Sequence, residues 1–197
     1  MNAEQEVPIH YQFPGQTRID SYEAKMLILR SENKQDYADI YEVNKQAFEG
    51  RDNEPRLVEA LRHSPDFIQE LSLVAVEDDR VVGHILFSPI TIETETGSIP
   101  AISLAPLAVL PECQKRGIGS ELVRHGLKNC AIMGHRVVLV VGHPDYYPRF
   151  GFSSASAKGI SYPFDAPDEA WMALELQPGA FDGVHGTAHY PPAFNNL

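Results

Sequence analysis

Apolar positions along this chain recur at two spacings, and the switches between them lay out strands and helices in a definite order. Met26 to Arg30 is a short strand candidate. From Asp36 to Phe48, the residues Tyr37, Ile40, Tyr41, Val43, Asn44 and Ala47 fall at helical spacing, which predicts a first helix. Gly50 to Asn53 breaks it, and Asn53 is placed to cap a second helix with Glu54 and Pro55 in its first turn and Leu57, Val58 and Leu61 on one face. After Ser64-Pro65, Leu71 to Val76 and Val81 to Ser88 read as a hairpin joined by Glu77-Asp78-Asp79-Arg80, with Thr91 to Thr96 extending it.

Pro100 to Leu110 is apolar on both alternations, which predicts a strand covered on both faces. Pro106 conflicts with unbroken pairing there, because a proline offers no N–H to a ladder; the strand is expected to bulge or splay beside it and open a slot in the sheet. Ile118, Leu122, Val123, Leu127, Cys130 and Ala131 make a helical stripe closed by Gly134. Val137 to Val141 is the next buried strand, Asp145 to Phe152 a helical turn, and Gly159 to Glu169 a proline-punctuated loop. Trp171 to Leu176 and Val184 to Tyr190 are the last strands. Residues 1–24 are polar, contain prolines and follow no period, so they are expected to form an extended or partly disordered arm, leaving 25–197 as one domain.

Charge narrows the function. Sixteen basic residues against 27 acidic ones, a net charge of −11, disfavour phosphate-backbone binding and so any nucleic-acid partner. A cationic small molecule or a basic peptide suits this field better. Two cysteines, Cys113 and Cys130, make no disulfide framework or four-thiolate zinc site. The first 25 residues lack the apolar segment of a signal peptide and no apolar run reaches bilayer length, so the expectation is a cytoplasmic protein without a membrane partner.

Against that acidic background one basic island stands out. Between Cys113 and Arg136, Lys115, Arg116, Arg124, Lys128 and Arg136 face one acid, Glu121. Its first part, Gln114-Lys115-Arg116-Gly117-Ile118-Gly119, runs into a helix start, where glycines let the backbone turn and free N–H groups converge on an anion. The run lacks the third glycine of a dinucleotide fingerprint, and no phosphate loop of Gly-x-x-x-x-Gly-Lys-Ser/Thr type is present. A nucleotide-phosphate hydrolase is therefore disfavoured.

This segment fits the Gln/Arg-x-x-Gly-x-Gly/Ala pyrophosphate loop of the GNAT-type N-acetyltransferases, and Tyr147-Pro148-Arg149-Phe150-Gly151-Phe152 fits their later Tyr-x-x-x-Gly-Phe element. With both motifs in order, residues 25 to 190 resemble that family. Leu104 to Val109 and Gly142 to Tyr147 look closest to a bacterial branch of acetyltransferases without assigned substrates. The resemblance implies an α/β (α+β) fold with a mixed, mainly antiparallel sheet, splayed fourth and fifth strands and flanking helices. It implies acetyl-coenzyme A as cosubstrate, with no metal, and acetyl transfer to a primary amine by direct attack in a ternary complex. Amides from Gln114 through Lys115, Arg116, Gly117, Ile118 and Gly119 to Ser120 would hold the pyrophosphate, with Arg116 adding charge. N–H groups of Leu107 and Val109 would face the pantetheine arm and the thioester.

Amine attack on a thioester needs a donor near the carbonyl, a proton for sulfur and a base for the ammonium. Tyr147, a phenol with a pKa of roughly 10, is the candidate acid. Tyr146 is its rival, since side chains adjacent on a helical turn point about 100° apart. His143 reads either as a proton relay or as a strand-end residue with a structural hydrogen bond. By the same resemblance the link between the first helices, with Glu49, Asp52 and Glu54, would border the acceptor site, where each is either a cation-recognising or proton-accepting group or a solvated surface acid; Ser103 is equally two-sided. His185 and His189, four apart in a strand, would lie about 13 Å apart, too far to share a zinc ion. The competing reading is a non-catalytic acyl-coenzyme A sensor, which would need the loop but not Tyr147. The acceptor is a small-molecule, peptide or protein amine, and a homodimer is compatible with the sequence.

Overall fold

The structure, a computed structural model, describes residues 26–164 and 166–196; the expected N-terminal arm lies outside the described residues. In chain order the elements are β1 (Leu27–Ser31), α1 (Tyr37–Ala47), α2 (Asn53–Arg62), β2 (Ser72–Glu77), β3 (Arg80–Thr94), β4 (Gly97–Val109) and α3 (Ile118–Ile132). They are followed by β5 (Val137–Val141), β6 (Ser153–Ser154), β7 (Ile160–Ser161), β8 (Trp171–Glu175) and β9 (Gly186–His189), with short 3-10 turns between. The sheet runs β1-β2-β3-β4-β5-β8-β6, and β9 pairs with the far end of β3 and with β7. Every neighbouring pair is antiparallel except β4 with β5 and β7 with β9. This is the mixed, mainly antiparallel sheet expected from the sequence. No helix among the described residues is long and apolar enough to cross a membrane.

The long hairpin β3–β4 is the spine, paired from Gly83↔Val109 to Thr94↔Gly97 with one irregularity opposite Leu86, where Ala105 and Pro106 fill the place of a single residue. On its other edge β4 meets β5 only through Ile102↔Val138 and Ser103↔Leu139. The two strands then part at the proline, the splay that a missing ladder donor demands.

Helices cover both faces. His84 points to α1, meeting Asn44, whereas its neighbour Gly83 lies beneath Leu122 and Ile118 of α3. A Cβ at Gly126 would sit 2.0 Å from the Phe87 ring, so α3 approaches the sheet as closely as a glycine permits. The helix ends in a Schellman motif, with Gly134 at φ +86°, its N–H on the Ala131 carbonyl and the His135 N–H on that of Cys130. The start of α2 differs from expectation. Asn53 is its first helical residue, and the cap position belongs to Asp52, whose carboxylate makes no cap bond and turns to Lys45 and Tyr41 instead.

A polar chain runs through the core between the first two helices and the sheet. Arg62 grips Glu32 through two bonds of 2.7 and 3.0 Å, Ser72 donates to Glu32 at 2.6 Å, and His84 lies between Ser72 and Asn44 at 3.1 Å from each. Proton accounting fixes the imidazole state. The Ser72 hydrogen is spent on Glu32, so its oxygen accepts from His84 Nε2–H. Asn44 gives one amide hydrogen to the Ile40 carbonyl and the other to His84 Nδ1, which must be bare. His84 is thus neutral, and complete burial, reinforced by nearby Arg62, pushes its pKa down to about 3.

Candidate active site

Where β4 and β5 part, the sheet opens into a cleft of about 1170 Å³. The loop before α3, the turn after β5, the end of α1, the first residues of α2 and the later segments carrying Tyr162, Tyr190 and Phe194 converge on it. Along β4 the polarity of the exposed edge follows from pairing. Leu110 N–H donates to Val82 across the hairpin, so alternation turns Val109 and Leu107 the other way, into the opening. The side chain of Gln114 reaches back to the Val109 carbonyl at 3.1 Å and ties the loop to the strand end.

That loop reaches its shape through positive φ at Lys115 (+61°) and Gly117 (+88°), the latter at the cap position of α3. The first amides of α3 have no intrahelical acceptor, and the helix dipole adds to them. Gln114, Lys115, Gly117, Ile118, Gly119 and Ser120 all line the cleft. Arg116 is placed otherwise: its guanidinium holds Glu77 through two bonds of 3.1 and 2.5 Å, outside the lining. Charge at the loop comes instead from Lys115 and from Arg149, whose guanidinium lies 4.7 Å from the Tyr146 ring centre. Arg149 sits inside the tyrosine motif, yet sequence reasoning gave it no role; a cation two residues beyond a candidate acid was the available signal.

Both tyrosines face the cleft. Tyr146 stands over the helix start, its hydroxyl 3.4 Å from Ser120 Oγ and 3.1 Å from where a Cβ on Gly119 would be. Tyr147 goes deeper, buried against Phe152 and the backbone of Gly142, where a Cβ would fall 2.2 Å from its ring. Desolvation, and secondarily Tyr146, hold its phenol pKa above the ordinary value, so it keeps its proton throughout the neutral range. The 3-10 turn that carries it, Tyr147–Phe150, is closed by Gly151 at φ +95°. His143 is exposed on the rim.

The three acids of the acceptor side separate. Glu49 is exposed and Asp52 is paired with Lys45 and Tyr41, and neither lines the cleft. Glu54 does; it is 9% exposed, with Oε1 3.8 Å from Arg51 and Oε2 buried without a hydrogen-bond partner. Ser103, also in the lining, is buried beside the Tyr190 hydroxyl. His189 pairs with Thr91 along β9, and among the described residues no cluster of three or more metal-binding side chains occurs. Cys113 and Cys130 are both buried; Cys113 borders the cleft, while desolvation raises the Cys130 thiol to about 12 and leaves it inert.

Comparison with known proteins identifies the family. Residues 29–155 match the acetyltransferase (GNAT) domain family. The chain is 41% identical over 157 residues to the uncharacterized N-acetyltransferase YjhQ of Escherichia coli, covering 77% of this chain and 86% of that one. It superimposes on the crystal structure of Escherichia coli YhbS in complex with CoA with a TM-score of 0.81 at 28% identity, covering 95% and 97% of the two chains. A GNAT acetyltransferase from Brucella melitensis in complex with acetyl-CoA is 32% identical, with a TM-score of 0.71 over 87% and 99%. By sequence match and by architecture, this chain belongs to the GNAT family of N-acetyltransferases.

Proposed function

We propose that the protein transfers the acetyl group of acetyl-coenzyme A to a primary amine by direct attack, both substrates being held in the cleft between β4 and β5. One observation carries the reading: a single opening joins an anion cradle, a strand edge of unpaired polarity, a buried protonated tyrosine and a buried carboxylate with one oxygen lacking a hydrogen-bond donor. The α3 amides from Ile118 to Ser120, with Lys115 and Arg149, suit the pyrophosphate, and the N–H groups of Leu107 and Val109 suit the pantetheine arm and the thioester oxygen. Arg116 contributes by holding Glu77 under the loop rather than by touching phosphate.

In the transfer, the amine nitrogen bonds to the thioester carbon and the carbon–sulfur bond breaks. The leaving thiolate takes the Tyr147 proton, and the ammonium proton passes to Glu54, directly or through one water. His143, at the rim, returns a proton from solvent. A non-catalytic sensor would use the cradle but would have no need to bury an acid and a base in the same opening.

Calorimetric titration with acetyl-coenzyme A tests the reading. Native protein is expected to bind, and Gly117→Glu, which adds both a repelling charge and a side chain at φ +88°, to lose binding. Failure of the native protein to bind would sink the proposal. Binding without thiol release over a broad panel of amines would leave the sensor.

A further inference from the structure

The acceptor half of the cleft is built differently from the cofactor half. Among the described lining residues of the whole cleft Glu54 is the one carboxylate, whereas Lys115 and Arg149 bring positive charge to the anion cradle. A buried carboxylate oxygen without a donor is costly unless a ligand supplies one, and a single such group matches a single ammonium. Phe48 and Leu57 line the cleft with Glu54, and three further lining side chains are aromatic: Tyr162, Tyr190 and Phe194. Tyr190 packs edge-on against both of the others, with centroids 5.9 Å from Tyr162 and 4.9 Å from Phe194. The turn that carries Phe194 packs against α2, the helix of Glu54. All three aromatic residues follow residue 155, where the match to the family ends.

On the basis of the acetyl transfer proposed above, we infer that the acceptor is a monoamine on a flat apolar body, its ammonium on Glu54 and its ring against Tyr162, Tyr190 and Phe194. Stacked rings and a desolvated charge pair reward such a molecule. A polyamine or an aminoglycoside brings further ammonium groups, for which the lining has no second carboxylate and toward which Lys115 and Arg149 are repulsive. The strongly acidic net charge of the chain, which by itself favours polycations, is therefore a poor guide to this pocket.

The test is thiol release from acetyl-coenzyme A with phenethylamine and tryptamine against spermidine and an aminoglycoside, alongside calorimetric binding of acetyl-coenzyme A. The arylalkylamines are expected to exceed the polycations in kcat/KM by tenfold or more. Phe194→Leu, which keeps an apolar side chain on the turn, is expected to remove most of that advantage through KM while cosubstrate binding stays unchanged. Tyr190→Phe, which keeps the ring, is expected to preserve it. Efficient acetylation of spermidine or the aminoglycoside, equal to or better than the arylalkylamines, would overturn the monoamine assignment and leave acetyl transfer standing. Cosubstrate binding with no turnover of any amine would overturn both.

Discussion

Two of the groups of polar side chains withdrawn from water among the described residues are finished in opposite ways. Around Glu32, the carboxylate, guanidinium, hydroxyl and imidazole each find a partner within the protein, and only Asn44 Oδ1 is left over. In the cleft, Glu54 Oε2 has none and the Tyr147 ring is buried against glycine and phenylalanine. Burial alone does not separate the two, since Glu32 and Glu54 are both largely hidden. The state of their partners does: a satisfied network ties elements together, whereas an unsatisfied group at an opening is waiting for something to bind.

The sharpest way to break this contrast is to remove one member of the closed group. Arg62→Ala strands the Glu32 charge in the core and is expected to cost about 3–5 kcal/mol in a urea melt, while turnover per folded molecule holds. Tyr147→Phe should do the reverse, reducing turnover ~10²-fold with cosubstrate binding and melting temperature near those of the native chain. Loss of stability without loss of turnover in the second variant would erase the distinction.

Acid gives a finer test. His84 is held at about 3 when folded against an ordinary 6.5, so below pH 6.5 the unfolded chain binds a proton that the native one refuses. Stability is expected to fall as the pH is lowered across that window, by up to about 1.4 kcal/mol per unit from this residue, and to be unaffected by it above. His84→Gln should flatten the slope, as denaturant melts between pH 7 and 4 would show. The smallest effect belongs to Asp52→Asn: its carboxylate is only partly buried and paired near the surface, so turnover and stability should both stay within error of the native values.

Much of this was legible in the residues. The order of elements, the Schellman glycine at Gly134 and the splay at Pro106 each follow from local rules, because each depends on a few neighbouring positions. The lining of the cleft was legible where a motif fixes the backbone, at Gln114, Lys115, Gly117 to Ser120 and Tyr147. It was not legible where side-chain direction decides. Glu49, Asp52 and Glu54 look alike in sequence, and only the phase of α2 turns Glu54 inward. Arg116 looked like a phosphate ligand until Glu77, 39 positions away, claimed it. The closed network was hidden for the same reason, with Glu32, Asn44, Arg62, Ser72 and His84 each resembling a surface residue and brought together by the register of β2 with β3 and the seating of α1 and α2. The short pairing of β9 with β3 and β7 likewise depends on contacts across more than 20 positions.

The contact between Gly126 and Phe87 carries a consequence at a distance. A helix is rigid over two turns, about 12 Å, so a ring keyed into α3 at Gly126 also fixes where the amides of Ile118, Gly119 and Ser120 come to rest. The anchor of the cradle is thus inherited from the core, and the loop side chains are free to drift in evolution without moving it. Variation at Gly126, far from the cleft lining, should be the quiet way to lose the cosubstrate.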